Sequence, residues 1–379
     1  MIPKLSATVE SIPEAASIFV NQLVYDKKSR GERVYTFSLG EAYFDVPRFE
    51  VDDKTFAAGY HYSSSLGQPA LRERLTNMYR SHYGVQADPT REILISCGSK
   101  PILFMTMEAV LNPGDEVLVY EPAWLSYKEQ VKLANGVPVA IPYWEDITQW
   151  ENYMTDRTKL IIINNPNNPS GQLFTQEQLS DLLRVAQRRG LFILSDEAYS
   201  DFLIPGDNFV SMAAVDPTKE NTIVVNSLSK NMGMSGWRVG YAIAHERVIE
   251  QLLKLNQHLL TCAATVLQNY MAEHFDEILA VTLPQAIATA EKRKKVQELL
   301  DKVGITSLRG VGTFYFLLDV SSYEGETEEL VKRLLEEHNI ATVPGRAYGE
   351  STADFIRFSI GVESLEDIEM CLKIIKSML

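Results

Sequence analysis

The segment Ser227-Leu-Ser-Lys230-Asn-Met-Gly-Met-Ser-Gly-Trp-Arg238-Val-Gly places a lysine among small residues, with an arginine eight positions further on. An amine attacks a carbonyl carbon only in its neutral form, and burial beside another cation lowers its pKa toward that form. A lysine behind a strand is equally at home as a solvated surface charge, so chemistry here needs partners. Upstream, Leu191-Phe-Ile-Leu-Ser-Asp196-Glu-Ala-Tyr199 drives an apolar run straight into a carboxylate. Such an acid can pair with a protonated ring nitrogen, each charge favouring the other, or it can simply cap the next helix. A third segment, Ile161-Ile-Ile-Asn-Asn-Pro166-Asn-Asn168-Pro-Ser-Gly171, runs a β-branched stretch into a turn rich in amides and prolines. Taken alone, it is an ordinary loop composition.

Bringing these side chains together requires strands that end at one edge. From about Arg91 onward, short β-branched runs alternate with stretches of helical periodicity, the pattern of a parallel sheet covered by helices. The runs predict strands over 92–96, 116–120, 137–141, 159–164, 191–196, 222–227 and 238–242, with helices over 100–111, 124–134 and 176–190. Asn168, Asp196 and Lys230 then lie at or beyond the carboxyl ends of three strands, the edge where open α/β sheets bind ligands. After Arg247 the pattern turns to long helices, including the charged stretch 288–303. It then returns to strand-like 312–320 and 355–360, with helices over 326–339 and 365–379. The expected fold is α/β: a large domain over 48–285 holding a mostly parallel seven-stranded sheet covered by helices. A smaller α+β domain is expected from 1–47 and 286–379.

Composition narrows the class. The 50 acidic against 36 basic residues leave a formal charge of -14, a field that repels phosphate backbones and anionic lipid, so neither nucleic acid nor membrane is an expected partner. Cys97, Cys262 and Cys371 are scattered and form neither a metal-ligand cluster nor an even disulfide framework, which points to a reducing compartment and no metal. The first ten residues hold no basic stretch followed by an apolar run, and a cytoplasmic protein is expected.

The three segments in their order resemble the fold-type I, pyridoxal-phosphate-dependent aminotransferases of class I/II. That family shows Asn-Pro-x-Asn-Pro-[Thr/Ser]-Gly, then Asp-Glu-x-Tyr, then Ser-x-Ser-Lys with Gly-x-Arg-x-Gly downstream. Here these stand at 165–171, 196–199, 227–230 and 236–240, and the resemblance extends from about Phe37 to the C-terminus. It implies pyridoxal 5'-phosphate as cofactor, held as a Schiff base on Lys230, which also moves the substrate's α-proton. Asp196 would pair with the ring nitrogen, and Asn168 and Tyr199 would hydrogen-bond the phenolic oxygen.

Further positions follow from the same resemblance. Ser96-Cys-Gly98-Ser99-Lys100 lies between a strand and a helix, where free N–H groups and the helix dipole attract an anion. The family places the cofactor phosphate there and adds the counterparts of Ser227, Ser229 and Arg238. The Lys100 side chain is open between cofactor, substrate and solvent. Trp124 matches the aromatic stacked on the ring, and reads otherwise as a core aromatic. Tyr62 matches a tyrosine that reaches the phosphate of a neighbouring subunit, which implies a homodimer with shared active sites. Arg357 sits in the apolar strand-like stretch Phe355-Ile-Arg-Phe-Ser-Ile, where a charge needs an anionic partner. The family uses it to grip the substrate α-carboxylate, with Gly40 and Asn168 beside the substrate.

One departure is Arg346, in Val343-Pro-Gly-Arg346-Ala-Tyr-Gly349, at a position that is often small in the family. It could bind an acidic side chain or face water. No motif identifies the neighbouring-subunit arginine that some dicarboxylate-specific members use. The resemblance implies a ping-pong transaminase exchanging an amino group between an L-amino acid and a 2-oxo acid. A β-elimination lyase or a cyclase or synthase could use the same lysine and carboxylate grip. A non-catalytic regulator that binds the cofactor would carry a basic DNA-binding module as well.

Overall fold

In the computed structural model, which describes residues 3–379, the β-branched runs of the chain's first two-thirds condense into one sheet. The strands, in chain order, are β1 (Tyr35–Thr36), β2 (Ile93–Ser96), β3 (Glu116–Tyr120), β4 (Val137–Ile141), β5 (Thr158–Asn164), β6 (Phe192–Asp196), β7 (Thr222–Ser227), β8 (Gly240–Ala244), β9 (Tyr315–Asp319), β10 (Ile340–Ala341), β11 (Val343–Pro344) and β12 (Phe355–Ser359). Seven of them form the large sheet in the order β2-β8-β7-β6-β5-β3-β4. Its pairings are parallel except on the two sides of β8, so six strands run one way and β8 alone runs back.

Strand side chains alternate between faces, and both faces are apolar because both are covered. Ile95, Leu118, Ile161, Ile193 and Val224 pack on one side with the helices Pro69–Tyr83 and Gln176–Arg189. Leu94, Val119, Ile162, Leu194 and Val225 pack on the other, with Ser99–Val110, Ser126–Leu133 and Glu246–Leu259. Each such side chain contributes roughly 1.5–3 kcal/mol on burial. Local signals start and stop the helices. Gln176–Arg189 opens with a capping box between Thr175 and Gln178 and closes on Gly190 in the left-handed region.

A second core gathers β9, β12, and the helices Thr327–His338 and Leu365–Met378. The N-terminal segment joins it: β1 pairs parallel with β10, and Ser359 N donates to Phe37 O at 2.9 Å. The long helix Thr265–Val303, kinked at His274, serves both cores. Its Phe275 and Ile278 belong to the first and its Ala286, Val296 and Leu300 to the second.

All seven predicted strands of the large sheet are present, with two telling shifts near the site. The strand expected over 238–242 is Gly240–Ala244, because Arg238 adopts a left-handed conformation with φ 54° that ends any extended run. The strand expected over 312–320 begins only at Tyr315, since Gly310–Thr313 forms a turn against another loop and Thr313 has φ 63°. The helix expected over 124–134 is Ser126–Leu133.

Candidate active site

The parallel strands deliver their last residues to one edge. Asn164 pairs with Asp196 across β5 and β6, while Ser96 and Ser227 both pair with Gly240, one from each side of β8. A cavity of about 220 Å³ opens at this edge. It is lined by Gly40, Ser99, Lys100, Trp124, Asn168, Asp196, Tyr199, Ser227, Lys230, Arg238 and Arg357. Eleven predicted site residues from segments far apart in the chain therefore meet there, and Ser229 lies on the same wall.

Asp196 forms the floor. It is 6% exposed, and Tyr127 Oη donates to its Oδ2 at 2.7 Å while Ala198 N donates to Oδ1 at 3.1 Å. Burial raises its pKa, and the Tyr127 and Ala198 donors and the Lys230 charge act against that rise. Next to it, Asn168 Nδ2 donates to Tyr199 Oη at 3.2 Å, and Tyr199 Oη lies 3.1 Å from Tyr315 Oη. Asn168 is itself fixed by Asn164, whose Oδ1 accepts from Asn168 N at 2.6 Å.

Lys230 extends from the short helix Leu228–Asn231, its Nζ donating to the Gly40 carbonyl. Burial pushes its amine down to about 8; Arg357 and Arg238 act with burial, while Glu41 and Asp196 oppose it. The amine thus has a neutral fraction near physiological pH, the condition its chemistry requires.

Opposite Asp196 is a cationic corner. Gly98 has φ 92°, and a Cβ there would stand 2.6 Å from Arg238 Nη2. Gly240 has the same office against Gly98 and Ser99, whose backbone a Cβ would meet at 2.3–2.4 Å. Two glycines therefore let the guanidinium and the start of helix Ser99–Val110 close on one spot. Arg238 Nη1 donates to Ser235 O at 2.8 Å and Ser229 Oγ at 3.4 Å. Lys100 Nζ lies 4.9 Å from the centroid of the Trp124 ring, and burial, then Arg238, lowers its pKa.

Arg357 is 3% exposed, with Nη2 donating to Ser38 O at 2.6 Å and Cζ above the Tyr315 and Tyr348 rings at 4.6 and 5.1 Å. Its Nε and the Oδ1 of Asn168 are buried without a partner among the described residues. A carboxylate at one end, hydroxyls, N–H groups and cations at the other, an amine between them and these two unpartnered polar atoms suit a flat anionic group with a basic ring nitrogen.

A sequence model of the aminotransferases of class I and II matches residues 53–375. The chain belongs to this family. An aspartate aminotransferase of Bacillus sp. (strain YM-2) is 31% identical over 386 residues, covering 96% of each chain. Aromatic-amino-acid aminotransferase 2 of Thermococcus litoralis is 30% identical, covering 92% of this chain and 94% of its own. The aspartate aminotransferase of Thermus thermophilus, solved with maleate, superposes with a TM-score of 0.89 at 29% identity over the full length of both chains. As a class I and II aminotransferase, the chain has the fold-type I α/β architecture and catalyses pyridoxal-phosphate-dependent transfer of an amino group between an amino acid and a 2-oxo acid.

Not every predicted position is in the cavity of this aminotransferase. Gly98 lies behind the wall, against Arg238, and Tyr62 is 86% exposed on the surface. Arg346 is bound to Glu350 at 2.6 Å, Glu328 at 3.4 Å and Glu326 at 3.5 Å, so three surface glutamates already answer its charge. Sequence reasoning passed over Tyr127 and Tyr315. The Trp124-x-x-Tyr127 spacing, which on the helix expected over 124–134 would set both rings on one face, was a usable signal for Tyr127. Nothing local marked Tyr315. No helix among the described residues is long and apolar enough to cross a membrane.

Proposed function

We propose that this aminotransferase holds pyridoxal 5'-phosphate in the cavity through Lys230. The observation that carries this reading is that Lys230, Asp196 and Arg238 line one cavity, where burial also pushes the amine down to about 8. When bound, the cofactor supplies an electron sink for the substrate's Cα–H bond.

The chain's own groups divide the remaining work. Lys230 would hold the cofactor through its aldehyde carbon, and its amine, once free, would move the substrate's α-proton. Asp196, kept in place by Tyr127, faces the ring nitrogen and favours its protonated form. Asn168 and Tyr199 donate to the phenolic oxygen. Ser99, Lys100, Ser227, Ser229 and Arg238 receive the phosphate, the backbone N–H groups of the Ser99–Val110 helix start among them, and Gly98 leaves the room in which the Arg238 guanidinium reaches it. Trp124 covers one face of the ring. Arg357 binds the α-carboxylate, with Gly40 and Asn168 beside it, and so fixes the Cα–H bond near Lys230.

The reading extends to assembly. Tyr60 and Tyr62 are 74% and 86% exposed, unusual for large aromatics, and the working unit is a homodimer in which Tyr62 completes the partner's phosphate site. The division into a large domain over 48–285 and a small one from 1–47 and 286–379 is supported by the long helix, which changes cores between Ile278 and Ala286. The cytoplasm is the proposed compartment.

A half-reaction screen tests the proposal. Purified protein loaded with pyridoxal 5'-phosphate is mixed with single amino acids, beginning with aspartate and the aromatic ones for which the relatives are named. Expected is conversion of the cofactor absorbance to that of pyridoxamine phosphate, absent from Lys230→Ala. Pyruvate and ammonia with an unchanged cofactor would overturn transamination as this site's reaction, and a Lys230→Ala variant with normal turnover would overturn the site. Sedimentation with a Tyr62→Phe variant tests the assembly: a dimer with weakened cofactor retention is expected, and a fully active monomer refutes it.

A further inference from the structure

Arg293 is a cation without an anion. It lies on the long helix Thr265–Val303, is 3% exposed, and pairs with no carboxylate among the described residues. Its donors go to main-chain carbonyls instead. Nε and Nη2 reach Gly310 O at 3.4 and 3.2 Å, Nη2 reaches Ser170 O at 3.3 Å, and Nη1 donates to the Tyr315 carbonyl. The guanidinium carbon stands 3.9 Å from the centroid of the Phe316 ring. Burial pushes its pKa down to about 9, a measure of how strongly this place resists a charge.

What those carbonyls belong to gives the charge its purpose. Ser170 ends the Asn-Pro turn that carries Asn168, and Gly310 begins the turn that leads to Tyr315. The two turns touch backbone to backbone: Val311 N and Gly312 N donate to Gly171 O at 2.8 and 2.9 Å. Glycine is required on both sides. A Cβ on Gly171, whose φ is +77°, would lie 2.5 Å from Gly312 O and 2.7 Å from Arg293 Nη2, and one on Gly310 would lie 2.3 Å from Ser170 O. Arg293 fills the angle between these turns. Their other ends converge again, because Asn168 Nδ2 and Tyr315 Oη both meet the Tyr199 hydroxyl, at 3.2 and 3.1 Å.

We propose that Arg293 is a positioning residue that locks Asn168 and Tyr315 onto Tyr199, and thereby sets the electron density at the cofactor oxygen these groups face. A lysine could not replace it fully, since its single nitrogen cannot span three carbonyls from two loops in the plane a guanidinium offers. The inference rests on the cofactor assignment above for its spectroscopic arm and on the protein alone for the other arm.

The test compares Arg293→Met and Arg293→Lys with Val296→Ala, a fully buried truncation on the same helix that faces the second core. In the loaded enzyme, the pH midpoint of the lysine-bound cofactor's absorbance is measured with kcat and KM. In the cofactor-free protein, amide exchange is followed over 164–171 and 310–315. Donors at the oxygen weaken its hold on the proton it shares, so Arg293→Met is expected to raise the midpoint by about 0.5–1 pH unit. It should lower kcat about tenfold with a smaller change in KM, and speed exchange in both turns. Arg293→Lys should recover part of each effect. Val296→Ala should lose thermal stability and leave the midpoint and the 164–171 exchange as they are. An Arg293→Met protein that behaves like Val296→Ala overturns the proposal. If the methionine variant does not fold, the lysine variant decides: a smaller shift in the same direction supports the role and none refutes it. Should the parent protein show no cofactor band, the cofactor assignment falls, while exchange in the two turns still decides whether Arg293 clamps them.

Discussion

Tyr127 donates a 2.7 Å hydrogen bond to Asp196 Oδ2 beneath the cavity, and both residues are buried. The phenol donor favours the carboxylate form against the burial that raises its pKa, and in the proposed function that carboxylate faces a ring nitrogen. Removing the donor with Tyr127→Phe leaves burial less opposed and raises the Asp196 pKa further. Loss of one charged-group hydrogen bond, about 1.5–3 kcal/mol, should lower kcat/KM by about 10- to 100-fold. Asp196→Asn, which removes the charge itself, should cost more. Equal activity in Tyr127→Phe and parent would refute the coupling.

The Lys230 amine gives a pH signature before any catalysis. Aldehyde capture by the cofactor-free protein should accelerate as pH rises through about 8, where the amine becomes neutral. Stability follows with a definite sign. The folded pKa lies below the ordinary 10.5, so between about 8 and 10.5 the unfolded chain holds more protons and the cofactor-free protein gains stability as pH rises. Lys230→Met should flatten that gain in thermal scans across the window, and an unchanged slope would contradict it.

Gly98→Ala addresses the anion corner. The added methyl would stand 2.6 Å from Arg238 Nη2 at a φ of 92°, so the guanidinium must yield and the turn must strain. A stability loss of about 1 kcal/mol and at least about tenfold faster cofactor dissociation are expected. Retention equal to the parent's would remove this corner from phosphate binding.

Arg357→Lys keeps a charge and loses the fork. The guanidinium is already oriented by Ser38 O at 2.6 Å and by the Tyr315 and Tyr348 rings, leaving its remaining donors for a carboxylate. A drop in kcat/KM of about 100-fold, carried mainly by KM, is expected from steady-state kinetics with the best donor. A change confined to kcat would argue against carboxylate binding.

Glu197, the neighbour of Asp196, is a buried acid that pairs with no cation among the described residues. It accepts from Ser211 Oγ at 2.9 Å and Met212 N at 2.9 Å, and burial still lifts its pKa to about 7. A raised carboxyl pKa stabilises the fold below the ordinary 4.5, and that stability is lost as pH rises through about 7. The amount at stake is on the order of 3 kcal/mol, so Glu197→Gln should remove much of the decline in stability between pH 4.5 and 7. Denaturant titrations at several pH values would show it.

Much of this protein was legible from short stretches of chain. The seven strands of the large sheet could be read because β-branched runs and turn chemistry act within a few residues, and a strand's carboxyl end is a local property. Asn168, Asp196 and Lys230 stand just where such ends occur, so their meeting at one edge followed from the parallel sheet. The shifts at Arg238 and Thr313 escaped that reading, because both residues adopt a left-handed backbone although neither is a glycine that would mark it.

Other features exist only after folding. Tyr315 reaches Tyr199 across 116 positions of sequence, and Arg293 reaches Ser170 across 123. No periodicity encodes such contacts, because they form only once segments distant in the chain pack together and the entropy of closing the long loops between them has been met. Residue types and spacing by themselves determined the sheet and the edge at which Asn168, Asp196 and Lys230 stand. Tertiary structure alone decided how buried the amine is, which glutamates occupy Arg346, and that an unpaired arginine sits between the two turns beside Tyr199.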